Sequence, residues 1–243
     1  MRKIGRVTEV WRYPVSSVGG ESLATIAVTP TGIPGDRSFA LFDPATGQAA
    51  APEQEPRWRP ALFLNAVSGE DGLPRLGFPD GAELPVDDRS LKDRLAEHFG
   101  FPVALGACGA SGAANLPAAS NRYEVSPLHI VTTASLVRLA DLGGLAEADR
   151  RRFRPSVLIE TEEGEGFLEN DWIGGRIVIG DLGVTITEAT KRCGLTLAAQ
   201  PGIAENPVVL QTLTRHNGRN LGVYGTVAQA GAISVGDTVY AEA

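Results

Sequence analysis

Glycine and proline interrupt this chain too often for a helical bundle: 29 glycines and 16 prolines stand among 243 residues, and the apolar residues between them fall in short runs. A helix needs about ten or more residues of unbroken 3.6-residue periodicity, whereas strands of about four to eight residues tolerate this punctuation. The chain therefore reads as mainly β (α+β), with a few short helices. At this length it can bury a substantial core, as one large β domain or two smaller ones. The two cysteines, Cys108 and Cys193, lie far apart with neither a CxxC pair nor Cys/His ligand spacing. That fits a reducing, cytoplasmic setting and argues against a zinc site.

The basic start Met1-Arg2-Lys3 leads into Val7-Thr8-Glu9-Val10, which places a carboxylate where a signal peptide has its apolar core. No stretch approaches the ~20 apolar residues of a membrane span. A net charge of -7 disfavours nucleic acid and anionic membranes as partners, yet a local basic patch can still bind a small anion.

Residues 5–12 alternate as a first strand and stop at Tyr13-Pro14, since proline cannot continue a central ladder. The small-residue loop that follows, with Ser16 and Ser17, is either a plain turn or an anion cradle. Arg37, after the turn at Gly35-Asp36, either pairs with Asp36 or reaches a ligand phosphate. Residues 73–85 read as turns, and 90–99 as an amphipathic helix ended by Gly100, with His98 on its exposed face. Periodicity then disappears. The expected division is a β-rich first domain over 1–106, a linker over 107–120 with Cys108 as an incidental small residue, and a second domain over 121–243.

The second half opens with a strand at 126–131 that feeds a helix capped by Thr132 or Thr133. Its first N–H groups either bind a phosphate or are satisfied by the cap alone. The run Arg150-Arg151-Arg152-Phe153-Arg154 is either a solvated helix end or an anion clamp. A hairpin over 174–187 delivers Thr190-Lys191-Arg192-Cys193-Gly194. A thiol beside two cations is a place where a thiolate is favoured, so Cys193 is a candidate ligand or nucleophile; the alternative is an inert cysteine at a strand end. Residues 222–227 and 231–240 read as two strands around a tight turn, a pair that commonly closes a barrel.

Taken in order, Tyr13-Pro14-Val15-Ser16-Ser17, Gly35-Asp36-Arg37, Arg152-Phe153-Arg154-Pro155, Lys191-Arg192-Cys193, Tyr224-Gly225 and Ile233-Ser234-Val235-Gly236-Asp237 resemble the MOSC family. These proteins are related to the C-terminal domain of molybdenum cofactor sulfurase, here preceded by the N-terminal MOSC domain. The resemblance spans nearly the full chain and implies a MOSC-type β-barrel. Two-domain members, including the mitochondrial amidoxime-reducing components, hold a molybdenum–molybdopterin cofactor between the domains, its metal bound by the pterin dithiolene and one cysteine. Carried onto this sequence, the resemblance makes Cys193 the metal ligand, a role suited to a soft thiolate. It places Ser17, Arg37, Thr132, Thr133, Arg152, Arg154 and Arg192 at the cofactor. Ser16 and Ser156 depart from the pattern, where relatives often have lysine and asparagine.

The resemblance further implies an oxidoreductase that reduces N-hydroxylated compounds such as amidoximes or hydroxylamino bases. The chain lacks the cysteines of a fused iron–sulfur domain, so a separate ferredoxin or flavoprotein is the expected electron donor. A persulfide carrier on Cys193 and a non-catalytic cofactor-binding module would use the same residues, and both stay open.

Overall fold

A computed structural model describes residues 1–109, 116–161 and 166–242. Its barrel strands are β1 (Arg2–Arg12), β2 (Leu128–Thr132), β3 (Val157–Thr161), β4 (Arg176–Ile179), β5 (Leu182–Lys191), β6 (Asn220–Gln229) and β7 (Thr238–Ala241), and its α-helices are α1 (Leu91–Phe99), α2 (Thr133–Gly143) and α3 (Pro207–His216). The strands pair in the order β3-β2-β6-β5-β4-β7-β1, and β1 pairs back onto β3 to close the ring. Closure removes the free edges that an open sheet of this size would expose.

Alternation decides what fills the barrel. Leu128 and Ile130 of β2, Val157 and Ile159 of β3, and Val184 and Ile186 of β5 point inward and are fully buried. The intervening Val131 and Leu158 face outward, where Leu139 of α2 and Val209 and Leu213 of α3 cover them. β2 and β3 are parallel, which demands a crossover, and α2 supplies it. By the same parity His129 leaves the barrel interior.

The first half adds a small sheet in which Phe39–Phe42 lies between Val15–Ser16 and Ala104–Cys108. Its core centres on Trp58, fully buried and met edge-on by Phe99 and Phe101. Among the described residues no helix is long and apolar enough to cross a membrane.

Several expectations are revised. β1 pairs with strands of the second half, and Thr25–Val28 pairs with Gly231–Ser234, so strands from the two halves share sheets. Of the expected linker, Ala107 and Cys108 lie in a strand and Ala118–Ala119 pairs beside it; residues 110–115 fall outside the described ones. Burial raises the Cys108 thiol to about 11. The expected terminal hairpin does not form: residues 231–234 leave the barrel to pair with 25–28, and β7 slots between β4 and β1. Gly231 permits the exit, since a Cβ there would lie 2.7 Å from Leu182 N. Within 73–85, Pro74–Gly77 and Glu83–Pro85 are paired strands. His98 is half-buried, with Nε2 2.9 Å from Pro60 O and its ring edge-on to Phe78.

Candidate functional site

Three turns from distant parts of the chain meet beside the barrel end. Tyr13, where β1 stops, is 3% exposed and forms their platform. Its N–H donates to Asp36 Oδ1 at 2.7 Å, its hydroxyl donates to Pro155 O at 3.2 Å, and its carbonyl accepts from Arg37 N at 2.7 Å. The guanidiniums of Arg37 and Arg154 lie 5.1 and 4.2 Å from its ring centroid. Ser17, Arg37 and Arg154 all take left-handed backbone, with φ of 64°, 49° and 54°. Such residues cost about 1–3 kcal/mol each and persist only where their surroundings hold them. Here the turns lock one another: Arg154 Nη1 donates to Val18 O at 2.6 Å, and Arg37 Nη2 to Arg154 O at 3.4 Å.

The fourth contribution is the end of β5. Lys191 is exposed, while Arg192 turns inward, as strand alternation requires. Arg192 Nη2 donates to Phe153 O at 2.7 Å, and Nη1 lies 3.3 Å from His129 Nε2. His129 Nδ1 lies 3.2 Å from the Arg154 carbonyl, which can only accept, so Nδ1 carries the proton and Nε2 accepts from Arg192. Cys193 follows, half-buried, before a 3-10 turn over Gly194–Leu197 whose Thr196 N and Oγ1 both donate to the Cys193 carbonyl. At Gly194 a Cβ would stand 2.9 Å from the Glu53 carbonyl, so the first half of the chain packs directly beside the thiol.

The resulting cleft is lined by Ser16, Ser17, Arg37, Arg154, Arg192 and Cys193, by the apolar Leu41, Ala50 and Leu195, and by residues 121–126. Among the described residues Arg37 pairs with Asp36 and Arg122 of the same lining with Glu53, whereas Arg154 and Arg192 have no carboxylate partner; counting Glu124, four arginines face three acids and leave a surplus of one. Burial, and then the Arg37 charge, depress Arg154 to about 10. Arg192 is lowered chiefly by burial. Burial also opposes the charge of Arg37, but Asp36 outweighs it and holds that guanidinium above its ordinary value. Arg154 Nη2 and Arg192 Nε are buried without a hydrogen-bond partner. Buried donors left open on surplus positive charge suit an anion.

Burial, and then the Arg192 charge, push His129 well below its ordinary 6.5. A depressed folded-state value means its stabilising share is present above pH ~6.5 and is lost as pH falls through the folded value. NMR should show the His129 ring still unprotonated as pH falls through its ordinary 6.5, and acidification below ~6.5 should destabilise the native chain more steeply than His129→Gln. A ring that titrates near 6.5 would refute this.

Of the residues singled out from sequence, the fold brings together Ser17, Arg37, Arg154, Arg192 and Cys193. Thr132, Thr133 and Arg152 stand elsewhere. Thr132 is fully buried and caps α2 by accepting from Ser135 N, but the anion at that helix start is internal. The Glu169 carboxylate accepts from Thr132 Oγ1 at 2.7 Å, from Ser135 Oγ, and from Gly222 N at 2.9 Å. Thr133 lines a separate groove with Glu9, Asp141, Glu147 and Asp149. Arg152 is 5% exposed and donates to the carbonyls of Thr196, Ala198 and Ala204. Ser156 is buried in the strand framework, while the Ser16 hydroxyl meets Asn121 Oδ1 in the cleft. Sequence reasoning missed the Tyr13 platform, His129, Glu53 and the 121–126 segment. Tyr13 carried a signal as the first residue of the Tyr13–Ser17 motif, and His129 as the one ionisable residue in the buried run Leu128–Thr132.

A closed barrel whose strands draw on both halves of the chain, with an arginine- and thiol-lined cleft beside one end, defines a two-part β-barrel protein. The chain belongs to the MOSC family: the MOSC domain matches residues 113–240, and the MOSC N-terminal beta barrel domain matches residues 4–108. Mitochondrial amidoxime reducing component 2 of Macaca fascicularis and of Homo sapiens are each 26% identical to it over 294 residues, covering 99% of this chain and 84% of theirs. The crystal structure of the YUAD protein from Bacillus subtilis shares the fold, with 12% identity, a TM-score of 0.51 and coverage of 98% of this chain and 96% of that one.

Proposed function

We propose that this chain binds a molybdenum–molybdopterin cofactor in the cleft and reduces N-hydroxylated small molecules there, with Cys193 as the metal ligand. The observation that carries the reading is the juxtaposition of that thiol with Arg37, Arg154 and Arg192, whose buried nitrogens Arg154 Nη2 and Arg192 Nε await acceptors. Among the described residues no three His, Cys, Asp or Glu side chains cluster to hold a metal. A metal here would take one soft sulfur from Cys193 and its other ligands from the group it arrives in, which suits a dithiolene-bound ion. The three arginines and the Ser17 turn would hold the anionic part. When bound, the cofactor would supply the redox centre that accepts oxygen from the substrate.

The chain's own residues supply geometry and charge. Asp36 and Tyr13 fix the two stacked guanidiniums before any ligand arrives, so little ordering entropy is lost on binding. His129 stays neutral and accepts from Arg192, which keeps that guanidinium turned into the cleft. Leu41, Ala50 and Leu195 offer an apolar wall for the organic part of a substrate. Electrons would come from a separate ferredoxin or flavoprotein.

Purification from a cofactor-producing host should yield about one molybdenum per chain, and Cys193→Ser should lower that at least tenfold while leaving the fold intact. Less than a tenth of an equivalent in the native chain would overturn the reading. A gain of one sulfur on Cys193 without molybdenum would replace it with a persulfide carrier.

A further inference from the structure

The cleft beside Cys193 is small. Its volume is about 190 Å³, below the roughly 300–1,000 Å³ of pockets that enclose a drug-sized organic ligand. One of its walls must therefore move before such a ligand can seat against the thiol. Most walls are held by main chain: Arg37 N donates to Tyr13 O at 2.7 Å, Ala50 N to Leu41 O at 2.8 Å and Arg192 N to Arg219 O at 2.9 Å. Residues 121–126 are the exception. They line the cleft, yet among the described residues none of them makes a hydrogen bond from main chain to main chain.

Two sets of side-chain bonds hold this segment. Asn121 meets the Ser16 hydroxyl, and its Nδ2 donates to Arg37 O at 2.9 Å. Arg122 and Tyr123 share one acceptor, Glu53 Oε1: Arg122 Nε lies 2.6 Å from it, and the Tyr123 hydroxyl donates to it at 2.9 Å. Glu53 is a firm anchor. Its side chain is 7% exposed, Gln54 N and Glu55 N both donate to Ala51 O around it, and its own carbonyl packs against Gly194. The other side of the pair faces solvent, with Arg122, Tyr123, Glu124 and Val125 all exposed. Both ends of the segment are fixed: Ala118–Ala119 pairs with Ala104–Cys108, and Pro127, whose Cα would lie 2.8 Å from a Cβ at Gly32, leads into β2. A stretch anchored at its ends and fastened between them by side chains alone opens at less cost than a wall built on main-chain bonds.

We propose that residues 121–126 form a strap across the cleft, latched on the Glu53 carboxylate, which swings outward to admit an organic ligand to Cys193. Glu53 is the fixed half of the latch, and Arg122 with Tyr123 is the moving half. The size of the ligand rests on the cofactor reading above; the latch does not. Removing a hydrogen bond to a charged group shifts an open–closed equilibrium about tenfold or more.

The test is the access of reagents to Cys193 in the full chain, purified from a host that makes no molybdenum cofactor. Labelling by a bulky fluorescein maleimide is compared with labelling by iodoacetamide, each assigned by peptide mass spectrometry; the ratio of the two rates cancels changes in the thiol's own reactivity. In native protein the bulky reagent should lag well behind the small one. Arg122→Ala with Tyr123→Phe should raise the ratio about tenfold, with Cys108 still unlabelled and the melting temperature near the native value. Native protein supplies a second reading without substitution: the ratio should rise between ~50 mM and ~500 mM salt as the Arg122–Glu53 pair is screened. An unchanged ratio in the folded double variant would overturn the strap, as would native Cys193 that takes both reagents equally fast. If the variant exposes Cys108, the native salt series decides, and a flat series overturns the strap. Absence of molybdenum from protein made in a cofactor-producing host would strike the cofactor reading and leave the strap standing.

Discussion

Glu169→Ala is expected to destabilise the protein by about 3–5 kcal/mol and to lower its melting temperature by roughly 10 °C, with or without a bound ligand. Glu169 is fully buried and accepts from two hydroxyls, Thr132 Oγ1 and Ser135 Oγ, and from the backbone of Gly222. Alanine would leave all three donors without an acceptor and remove the negative charge from the start of α2. Glutamine is the informative partner variant. Its carbonyl can accept from Gly222 N and its amide can donate to the hydroxyls, so Glu169→Gln should cost only about 1 kcal/mol.

The two variants also differ in their response to pH. Burial holds the Glu169 carboxyl above its ordinary 4.5, despite the hydrogen bonds from Ser135 and Thr132. A raised folded-state value means that its share of stability is complete below pH ~4.5 and is lost as pH rises through the folded value. Glu169→Gln has no such loss, so its stability should improve relative to the native chain as pH climbs from ~4.5. Chemical denaturation across that range measures the difference; a constant gap would refute the assignment.

Arg152→Met should cost about 3–5 kcal/mol, equally in cofactor-free and cofactor-loaded protein. Methionine roughly fills the space of the arginine stem but donates nothing, and three carbonyls that receive the guanidinium, at 3.1, 3.1 and 2.6 Å, would lose their donor together. Those carbonyls belong to the segment that begins just after Cys193. Amide exchange over residues 194–204 should therefore speed up before the barrel opens. A residue that held the cofactor would behave differently: the variant would melt like the native chain when empty and fail only in binding. That outcome would return Arg152 to the cleft.

The Arg150–Arg154 run shows how far local reading reaches. Its density signals a cation cluster, yet its members part company. Arg150 pairs with Glu9, Arg151 with Asp149, Arg152 turns to backbone carbonyls, and Arg154 enters the cleft. Which arginine goes where depends on a 3-10 turn and on a left-handed Arg154, and neither is written in composition. Thr132 teaches the same lesson from the other side. Its capping pattern is genuine and α2 starts there, but the pattern is identical whether the helix faces a ligand or a carboxylate 37 residues further along.

By itself, then, the sequence determined the mainly β architecture, the helices around 91–99 and 133–143, and the ordered motifs that mark the MOSC family. Those features depend on punctuation, periodicity and short-range spacing, which neighbours along the chain decide. The interleaving of β1 with the second-half strands was decided only in the folded chain, because strand pairing costs loop entropy that sequence distance scarcely changes. So was the choice among arginines, since the same guanidinium serves a carbonyl, a carboxylate or an open cleft according to what burial leaves beside it.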